Sequence, residues 1–296
     1  MKIFDCTTYF NEELLMDVRF NILNEKVEKF VVVESCYSHS GEQKKLNFNI
    51  NNYKKFKNKI IYVVIENEPD GIIKNENGKL RSVDKRSNSL KRIEQSYDYM
   101  MKGINNASDN DLIILSDNDE IPNLSSPQFL RSNSDILIFK QLFFYYKFDL
   151  LYDAMHWYGS KACKKNKLFS MPWLRNLKTK KYPIWRLDTL FSKTKYTNIE
   201  IINDGGWHFT NLMSPENLFI KMKNGGHHDE FEKENINLNF IKNKIKNCEV
   251  FYNHFLDQSD PNKWKNDYKL KPIDLDKLPD YISSNKAKFS NWFSKN

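Results

Sequence analysis

Short, continuous apolar runs constrain the fold of this chain more than any other feature of its sequence. Such runs lie at residues 29–33 and 59–65, and another lies within residues 111–116. Apolar runs of this length, without alternation, are typical of strands buried on both faces of a parallel sheet. Residues 2–9 predict a further strand at the start of the chain.

Helical patterns separate these predicted strands. Asn11 predicts a helix cap, and helically spaced apolar residues follow it, namely Leu14, Leu15, Val18, Ile22 and Leu23. Residues 83–104 predict a long amphipathic helix, and Pro127 and Pro215 mark two further helix starts. The aromatic run at 135–148 predicts one long strand. This order predicts an α/β fold with a mixed, mainly parallel sheet flanked by helices.

The length of 296 residues favours one main domain. We place it at residues 1–260, with a C-terminal extension at 261–296 that packs on it. No apolar run approaches the ~20 residues of a membrane span, and the first residues lack the apolar segment of a signal peptide. We therefore expect a cytoplasmic protein without a transmembrane segment.

The net charge of +8, from 46 basic and 38 acidic residues, favours anionic partners such as nucleotides. The lysines are scattered and accompany no nucleic-acid motif, so we expect no nucleic acid as a partner. The cysteines form no CxxC pair, and they predict neither a zinc ribbon nor a disulfide framework. They are Cys6, Cys36, Cys163 and Cys248.

The acidic cluster at residues 117–120 directly follows the apolar run at 111–116. Ligands of open α/β sheets bind at the carboxyl ends of the strands, which is where this cluster falls. Asp117 and Asp119, one residue apart, can present carboxylates to one hard cation that keeps positions open for diphosphate oxygens. A solvated acidic turn before Pro122 is the alternative.

Two histidine segments carry further candidates for chemistry. His208 follows the glycine pair at 205–206, and it fits either a buried core side chain or a third metal ligand beside the aspartates. The segment at residues 227–230, His-His-Asp-Glu, fits metal binding, acid–base catalysis or a plain acidic loop.

Basic and aromatic side chains complete the candidates. Five basic residues fit either of two roles, neutralising a phosphate or carrying an ordinary surface charge. They are Arg86, Arg92, Lys161, Arg175 and Arg186. The aromatic stretch at 143–146 predicts core packing, whereas three tryptophans could support the apolar faces of sugar rings, namely Trp157, Trp173 and Trp185.

The ordered motifs of this chain resemble glycosyltransferase family 17, the family of the enzyme that adds bisecting N-acetylglucosamine (GlcNAc). The resemblance covers roughly residues 1–232, and its ordered set is fairly specific. The matching blocks are Asp5-Cys6-Thr7-Thr8-Tyr9-Phe10-Asn11-Glu12, Val31-Val32-Val33-Glu34, His39-Ser40-Gly41, Ser116-Asp117-Asn118-Asp119-Glu120-Ile121-Pro122, Trp157-Tyr158-Gly159-Ser160-Lys161, Pro172-Trp173-Leu174-Arg175, Gly206-Trp207-His208-Phe209 and His228-Asp229-Glu230.

The resemblance implies a GT-A-like, Rossmann-like fold and inverting transfer of GlcNAc, or a related sugar, from a UDP-sugar to a glycan or glycoconjugate. It implies Mn²⁺ or Mg²⁺ bound by Asp117 and Asp119, with His208 as a candidate ligand. Four further residues are expected to contact the donor, namely Thr7, Glu34, Arg92 and Glu94. Glu230 is the preferred base for the acceptor hydroxyl, with Asp229, Asp188 and Glu120 as alternatives.

One segment departs from the family pattern. Where the family carries Gln-Arg-Asn before the acidic strand, this chain has Ser96-Tyr97-Asp98, which puts donor contacts there in doubt. This departure suggests an alternative, a non-catalytic carbohydrate-binding protein on a degenerate transferase fold. A metal-dependent phosphohydrolase that uses the same aspartates with His227 and His228 is the other alternative.

Overall fold

A computed structural model describes the chain at residues 1–74, 80–183, 185–189, 191–196, 198–225, 228–234, 236–257, 260 and 262–294. Within these residues no helix is long and apolar enough to cross a membrane. The predicted start of the extension, Pro261, lies outside the described residues. The division at this point stays a prediction.

Among the described residues, seven strands form the larger sheet, in the order β10-β6-β9-β4-β1-β2-β3. Their bounds are β1 Ile3–Thr8, β2 Lys29–Ser35, β3 Ile60–Ile65, β4 Leu112–Leu115, β6 Ile136–Phe139, β9 Lys161–Lys164 and β10 Ile199–Ile202. Strands β1 to β4 pair in parallel, so their carboxyl ends meet at one edge. Strand β9 is antiparallel to both of its neighbours, β4 and β6. The four predicted amino-terminal strands are confirmed.

A second, five-stranded sheet has the order β12-β8-β7-β11-β5. Its strands are β5 Glu120–Pro122, β7 Leu142–Tyr145, β8 Leu150–Leu151, β11 Gly206–Thr210 and β12 Lys271–Pro272. The ten pairings between described strands are half parallel and half antiparallel. The prediction of one mainly parallel sheet is therefore wrong, and the fold is mixed α/β with two sheets.

The break between the two sheets lies inside the aromatic run at 135–148. Lys140 bonds to Ile202 of the larger sheet, whereas Gln141 pairs with Trp157. The run therefore supplies β6 to one sheet and β7 to the other, and the prediction of one long strand is wrong. Apolar and aromatic residues fill both strands, because each strand is buried, so composition alone does not reveal the break.

Helices cover both faces of the larger sheet. The α-helices of the described residues are α1 Glu13–Leu23, α2 Ser82–Gly103, α3 Pro127–Arg131, α4 Met171–Asn176, α5 Pro215–Asn224, α6 His228–Lys233, α7 Leu238–Lys246 and α8 Asp280–Ser284. Helix α1 packs on one face, whereas α2 and α4 pack on the other. The predicted cap at Asn11 is wrong by one residue, because Glu12 takes the N-cap position and its carboxylate accepts the backbone N–H groups of Phe10 and Asn11.

The carboxy-terminal residues pack against the start of the chain and the middle of the sheets. Tyr281 donates a hydrogen bond to Asp17 on α1, and Phe289 packs on Phe148 with ring centroids 5.5 Å apart. The indole N–H of Trp207 on β11 donates to the carbonyl of Lys277. These contacts join the segment to the core that β1, β2 and α1 share.

Candidate active site

The acidic turn follows β4 at the carboxyl edge of the larger sheet, where it was predicted. Asp117 is held by two side chains from other elements. The hydroxyl of Tyr97 on α2 donates to its Oδ1 at 2.9 Å, and Nη2 of Arg175 on α4 donates to its Oδ2 at 2.5 Å. The Asp117 carboxylate is therefore bound by one side chain from α2 and one from α4.

Asp119 is a buried carboxylate, with 8% of its surface exposed. Its Oδ1 lies 3.3 Å from Nε2 of His208 on β11, and its Oδ2 lies 3.7 Å from Nζ of Lys221 on α5. Burial opposes ionisation, but the charges of His208 and Lys221 hold the pKa of Asp119 well below its usual range. Asp119 is therefore an anion at neutral pH.

Glu120 turns away from the cavities and shapes the turn from inside. Its carboxylate accepts the backbone N–H of Asp117 at 2.9 Å and the indole N–H of Trp157 at 2.7 Å. Burial, followed by the charge of Asp117, raises the pKa of Glu120. A side chain at Gly159 would clash with it, since an added Cβ would lie 2.2 Å from the Glu120 carboxyl carbon. Trp157 thus anchors the turn, although sequence suggested a sugar platform.

Arg19, fully buried on α1, ties the turn to the sheet. Its guanidinium donates to both carboxylate oxygens of Asp5 on β1, at 2.6 and 2.5 Å, and to the carbonyl of Glu120 at 2.6 Å. Sequence reasoning missed Arg19. The available signal was a charged residue between Val18 and Phe20, within the apolar pattern of the helix.

The first cavity, of about 320 Å³, opens at the carboxyl edge beside the turn. Strand ends, the following loop and helices α2, α4 and α5 supply its wall. The lining residues include Thr8, Tyr9, Val33, Ser35, His39, Arg86, Ser96, Tyr97, Asp117, Asp119, Arg175, Lys221 and Gly225. Two residues of the departing segment, Ser96 and Tyr97, therefore face this cavity.

His39 contributes a neutral imidazole to the first cavity. Burial lowers the pKa of His39 to about 4. The charge of Asp117 opposes this shift, whereas the charges of Arg92 and His228 lower the pKa further. His39 belongs to one of the blocks that resemble the family, but the sequence alone predicts no role for it.

Two predicted donor contacts on the strands do not reach the first cavity. Thr7 is buried, and the next residue, Thr8, lines the wall instead, because neighbouring side chains of a strand point to opposite faces. Glu34 accepts hydrogen bonds from Lys44, the backbone of residues 47 and 48, and the hydroxyl of Tyr62. Its carboxylate supports the loop after β2.

The two predicted donor contacts on α2 also lie off the wall. Arg92 pairs with both carboxylate oxygens of Glu68, at 2.7 and 2.9 Å, and donates to the carbonyl of His39 at 3.0 Å. Glu94 is exposed. Arg92 therefore supports the loop that carries His39.

A second cavity, of about 330 Å³, adjoins the first. Both are lined by Asp119, Lys221 and Gly225. The remaining wall of the second cavity comes from the carboxy-terminal third of the chain and is rich in aromatic and amide side chains, including Asn211, Glu230, Phe231, Tyr252, Asn253, His254, Lys263 and Trp264. Asp119 and Lys221 thus stand where the two cavities meet.

The predicted bases take three different environments. Glu230 lines the second cavity, and its Oε2 accepts a hydrogen bond from Lys263 at 2.7 Å. Asp229 accepts a hydrogen bond from the hydroxyl of Ser82 at 3.1 Å and lines a separate pocket that Glu230 also borders. The structure therefore brings Glu230, and not Asp229, to the cavity that contains Asp119.

Asp188 lines neither the first nor the second cavity. It accepts hydrogen bonds from Arg186 and Lys195, which lower the pKa of Asp188 to about 2. Trp185 nearby has 81% of its surface exposed, so the structure brings neither residue to the turn.

His208 is clamped between aromatic rings. It stacks on Phe143 at a centroid distance of 4.7 Å and packs against Trp157 at 4.6 Å. Its buried Nδ1 has no hydrogen-bond partner within the described residues. The preceding glycines serve strand packing, because an added Cβ at Gly206 would lie 2.2 Å from the carbonyl oxygen of Ile121.

The described residues contain no group of three or more His, Cys, Asp or Glu that could hold a metal ion. His227, which the phosphohydrolase alternative uses, lies outside them. Two groups do converge, since Oδ1 of Asp119 and Nε2 of His208 are 3.3 Å apart. Ligands about 2.1 Å from an octahedral cation are about 3 Å from each other, so this pair fits two positions on one ion.

The fold is mixed α/β, and its first cavity lies at the carboxyl ends of parallel strands, where ligands of open α/β sheets commonly bind. Within that class, the model of glycosyltransferase family 17 matches residues 1–169, which is more than half of the chain. The chain belongs to glycosyltransferase family 17.

Comparison with solved structures gives weaker likenesses. HddC from Yersinia pseudotuberculosis is 13% identical, with a TM-score of 0.31 over 69% of this chain and 91% of that one. HddC from the same organism, complexed with GMP-PN, is 14% identical, with a TM-score of 0.32 over 74% and 97%. These TM-scores define neither the fold nor the function of this chain. No curated protein matches it.

Proposed function

We propose that this protein is a metal-dependent, inverting glycosyltransferase that moves GlcNAc, or a related sugar, from a UDP-sugar to a hydroxyl of a glycan or glycoconjugate. The observation that carries the proposal is the junction of two cavities at Asp119. A transferase needs a donor and an acceptor to meet, and the two cavities share the wall that Asp119 and Lys221 form.

The first cavity suits the donor. It lies at the carboxyl edge, and Arg175 and Lys221 supply positive charge for a diphosphate. The same proposal includes a GT-A-like fold. Strands β1 to β4 of the larger sheet are parallel, which is the arrangement of nucleotide-binding α/β sheets.

Asp119 and His208 would hold the cation, with Asp117 on the same turn. Their separation of 3.3 Å fits two positions on one ion, and the carboxylates suit a hard cation such as Mn²⁺ or Mg²⁺. A bound cation would stabilise the negative charge of the departing diphosphate. The aromatic clamp of Phe143 and Trp157 fixes the orientation of the His208 ring towards Asp119.

The second cavity suits the acceptor. Tyr252 and Trp264 offer apolar faces for sugar rings, while Asn211 and Asn253 offer amide hydrogen-bonding groups. Glu230 in the same wall removes the proton of the attacking hydroxyl as general base. Attack from this side, with the nucleotide leaving on the other, inverts the anomeric carbon in a single displacement.

Product analysis tests the proposal. The purified protein is incubated with UDP-GlcNAc, Mn²⁺ and a panel of glycans, and products are identified by mass spectrometry, with and without a chelator. We expect one added N-acetylhexosamine on an acceptor and loss of transfer with the chelator. Asp119→Asn should abolish transfer, whereas Asp188→Asn, an exposed acid outside both cavities, should retain it.

Two results would oppose the proposal. Release of phosphate from phosphoesters by the same protein, without any sugar transfer, supports the phosphohydrolase alternative. Glycan binding without UDP or Mn²⁺ binding supports the non-catalytic alternative.

A further inference from the structure

Two protein cations occupy the carboxylates of the acidic turn. Arg175 bonds to Asp117 at 2.5 Å, and Lys221 lies 3.7 Å from Asp119. Both are partly exposed to the first cavity, with 30% and 25% of their side-chain surfaces accessible. They come from two different helices, α4 and α5.

Two other basic residues, Lys44 in the wall of the first cavity and Arg92 near it, have different partners. Lys44 pairs with Glu34, and Arg92 pairs with Glu68. Neither pair involves the acidic turn. Among the ion pairs of the described residues, those of Asp117 and Asp119 with basic side chains are to Arg175, His208 and Lys221.

We propose that Arg175 and Lys221 act as a cation latch: they hold Asp117 and Asp119 in the free protein and transfer to the donor diphosphate when it binds, so that the divalent cation enters with the nucleotide. This inference rests on the proposed function, because it assumes a diphosphate donor and a cation at Asp119.

Charge gives the physical reason for the order of binding. A divalent cation near Asp119 in the free protein is repelled by the Lys221 ammonium, which contacts the same carboxylate. A diphosphate brings negative charge that both protein cations can contact, and it also bridges to the metal. Nucleotide and metal therefore reinforce each other's binding, while each alone competes with an existing ion pair.

The place of Lys221 gives the latch a second consequence. Lys221 lines both cavities, so its movement towards the diphosphate changes the wall of the second cavity as well as the first. Its unbranched side chain has the freedom to make this move, whereas the guanidinium of Arg175 is also held by Tyr97. Lys221 is therefore the positioning residue on which the test concentrates.

Mn²⁺ binding, followed by the electron paramagnetic resonance signal of the free ion, tests the latch without relying on catalysis. Wild type, Lys221→Met and Lys223→Met are titrated with Mn²⁺, each with and without UDP. Lys223 is the matched control, since it is exposed on the same helix and lines neither cavity.

The latch predicts opposite effects of Lys221→Met on two ligands. Without UDP, Mn²⁺ should bind the variant about tenfold more tightly than wild type, because a repelling charge is gone. UDP alone should bind more weakly, and the enhancement of Mn²⁺ binding by UDP should shrink by about tenfold. Lys223→Met should match wild type. If Lys221 only supported the local structure, Lys221→Met would weaken Mn²⁺ binding. The direction of the change in Mn²⁺ affinity therefore distinguishes the two roles.

Adding Asp119→Asn to Lys221→Met should remove the tightened Mn²⁺ binding. Unchanged or weaker Mn²⁺ binding in a Lys221→Met protein that melts like wild type overturns the latch. If the proposed function is wrong, the result is different: wild type binds no Mn²⁺ even with UDP, and it transfers no sugar. That result overturns the latch together with the function.

Discussion

Asp119 and Glu230 belong to different parts of the chain, yet their side chains line one cavity. Asp119 also lines the first cavity, whereas Asp117 lines only the first of the two. The carboxylates therefore differ in surroundings: arginine and tyrosine hold Asp117, histidine and lysine hold Asp119, and Lys263 holds Glu230. These surroundings agree with the roles proposed above, in which Asp119 and Asp117 face the cation and Glu230 removes the proton of the acceptor hydroxyl.

The proposed role of Glu230 as the general base leads to a prediction for turnover. Glu230→Gln should lower kcat by about 10² to 10⁴-fold, the usual contribution of a general base, because an amide cannot accept the proton. UDP affinity should stay within about twofold, since the side chain lines the second cavity and not the first. Steady-state kinetics and calorimetry measure the two quantities.

Glu232→Gln is the matched control for Glu230→Gln, because Glu232 is an exposed acid on the same helix. It should leave kcat unchanged. A Glu230→Gln variant that folds and turns over like wild type would exclude Glu230 as the base.

Two histidines that line the cavities should stay neutral at physiological pH. Burial lowers the pKa of both His39 and His254 to about 4, and their ring signals in NMR spectra should not titrate between pH 5.5 and 8. The charges of Asp117, Arg92 and His228 act on His39, whereas those of His208 and Lys263 act on His254.

The same two pKa values predict how stability changes with pH. The folded-state pKa of about 4 lies below the unfolded value of 6.5, so the unfolded chain binds more protons between these values. The contribution of both histidines to the free energy of unfolding should therefore fall as pH drops from 6.5 towards 4. Replacement of either by Gln should make stability less sensitive to pH in this window, as urea unfolding at several pH values would show. An unchanged sensitivity would contradict the lowered pKa values.

Among the secondary-structure elements, α1 has a role that its amphipathic pattern does not express. The helix packs on the sheet with apolar residues, but it also sends Arg19 through the core to Asp5 and to the backbone of the acidic turn. A helix, a strand and a functional turn are thereby fixed to one another by one guanidinium.

Arg19→Met should cost about 3–5 kcal/mol of stability, because it leaves the Asp5 carboxylate buried without its charged partner. UDP affinity should also fall, since the turn loses its bond to Arg19. Urea unfolding and calorimetry measure these effects. Arg186→Met removes an exposed, solvent-screened ion pair and should leave the free energy of unfolding almost unchanged. Equal losses in the two variants would contradict the role given to Arg19.

At the scale of the whole molecule, the carboxy-terminal segment completes the core as well as covering it. Phe289 is 1% exposed and contacts both Phe148 and Tyr281. Phe148 in turn packs on Phe209 of β11, the strand that carries His208. The end of the chain is thus linked through aromatic contacts to the strand beside the acidic turn.

Phe289→Ala should destabilise the whole protein by about 3–5 kcal/mol, the usual cost of removing a buried phenylalanine ring. The unfolding transition should move as one, because this core is shared with β1 and α1. Calorimetry measures the change. Phe255→Ala, at a ring that is 66% exposed, should shift stability by about 0.5 kcal/mol or less. A separate early transition for Phe289→Ala would show that the segment folds independently.

The sequence by itself determined the four parallel strands β1 to β4, the helices α1 and α2 and the position of the acidic turn. These features depend on local pattern, since the burial of a strand or helix face is written in the spacing of its apolar residues. The turn was predictable because it directly follows such a strand.

Only the tertiary structure decided which polar side chains meet at that turn. Lys221, Arg175 and His208 approach the turn through long-range packing, and Glu230 reaches the second cavity in the same way. No local spacing encodes these positions. For the same reason Thr7, Glu34 and Arg92 were expected at the first cavity but support neighbouring structure instead, and the aromatic run divides between two sheets. A buried charge is placed by the partner that compensates it, and that partner lies far away in the chain, as Arg19 and Asp119 both show.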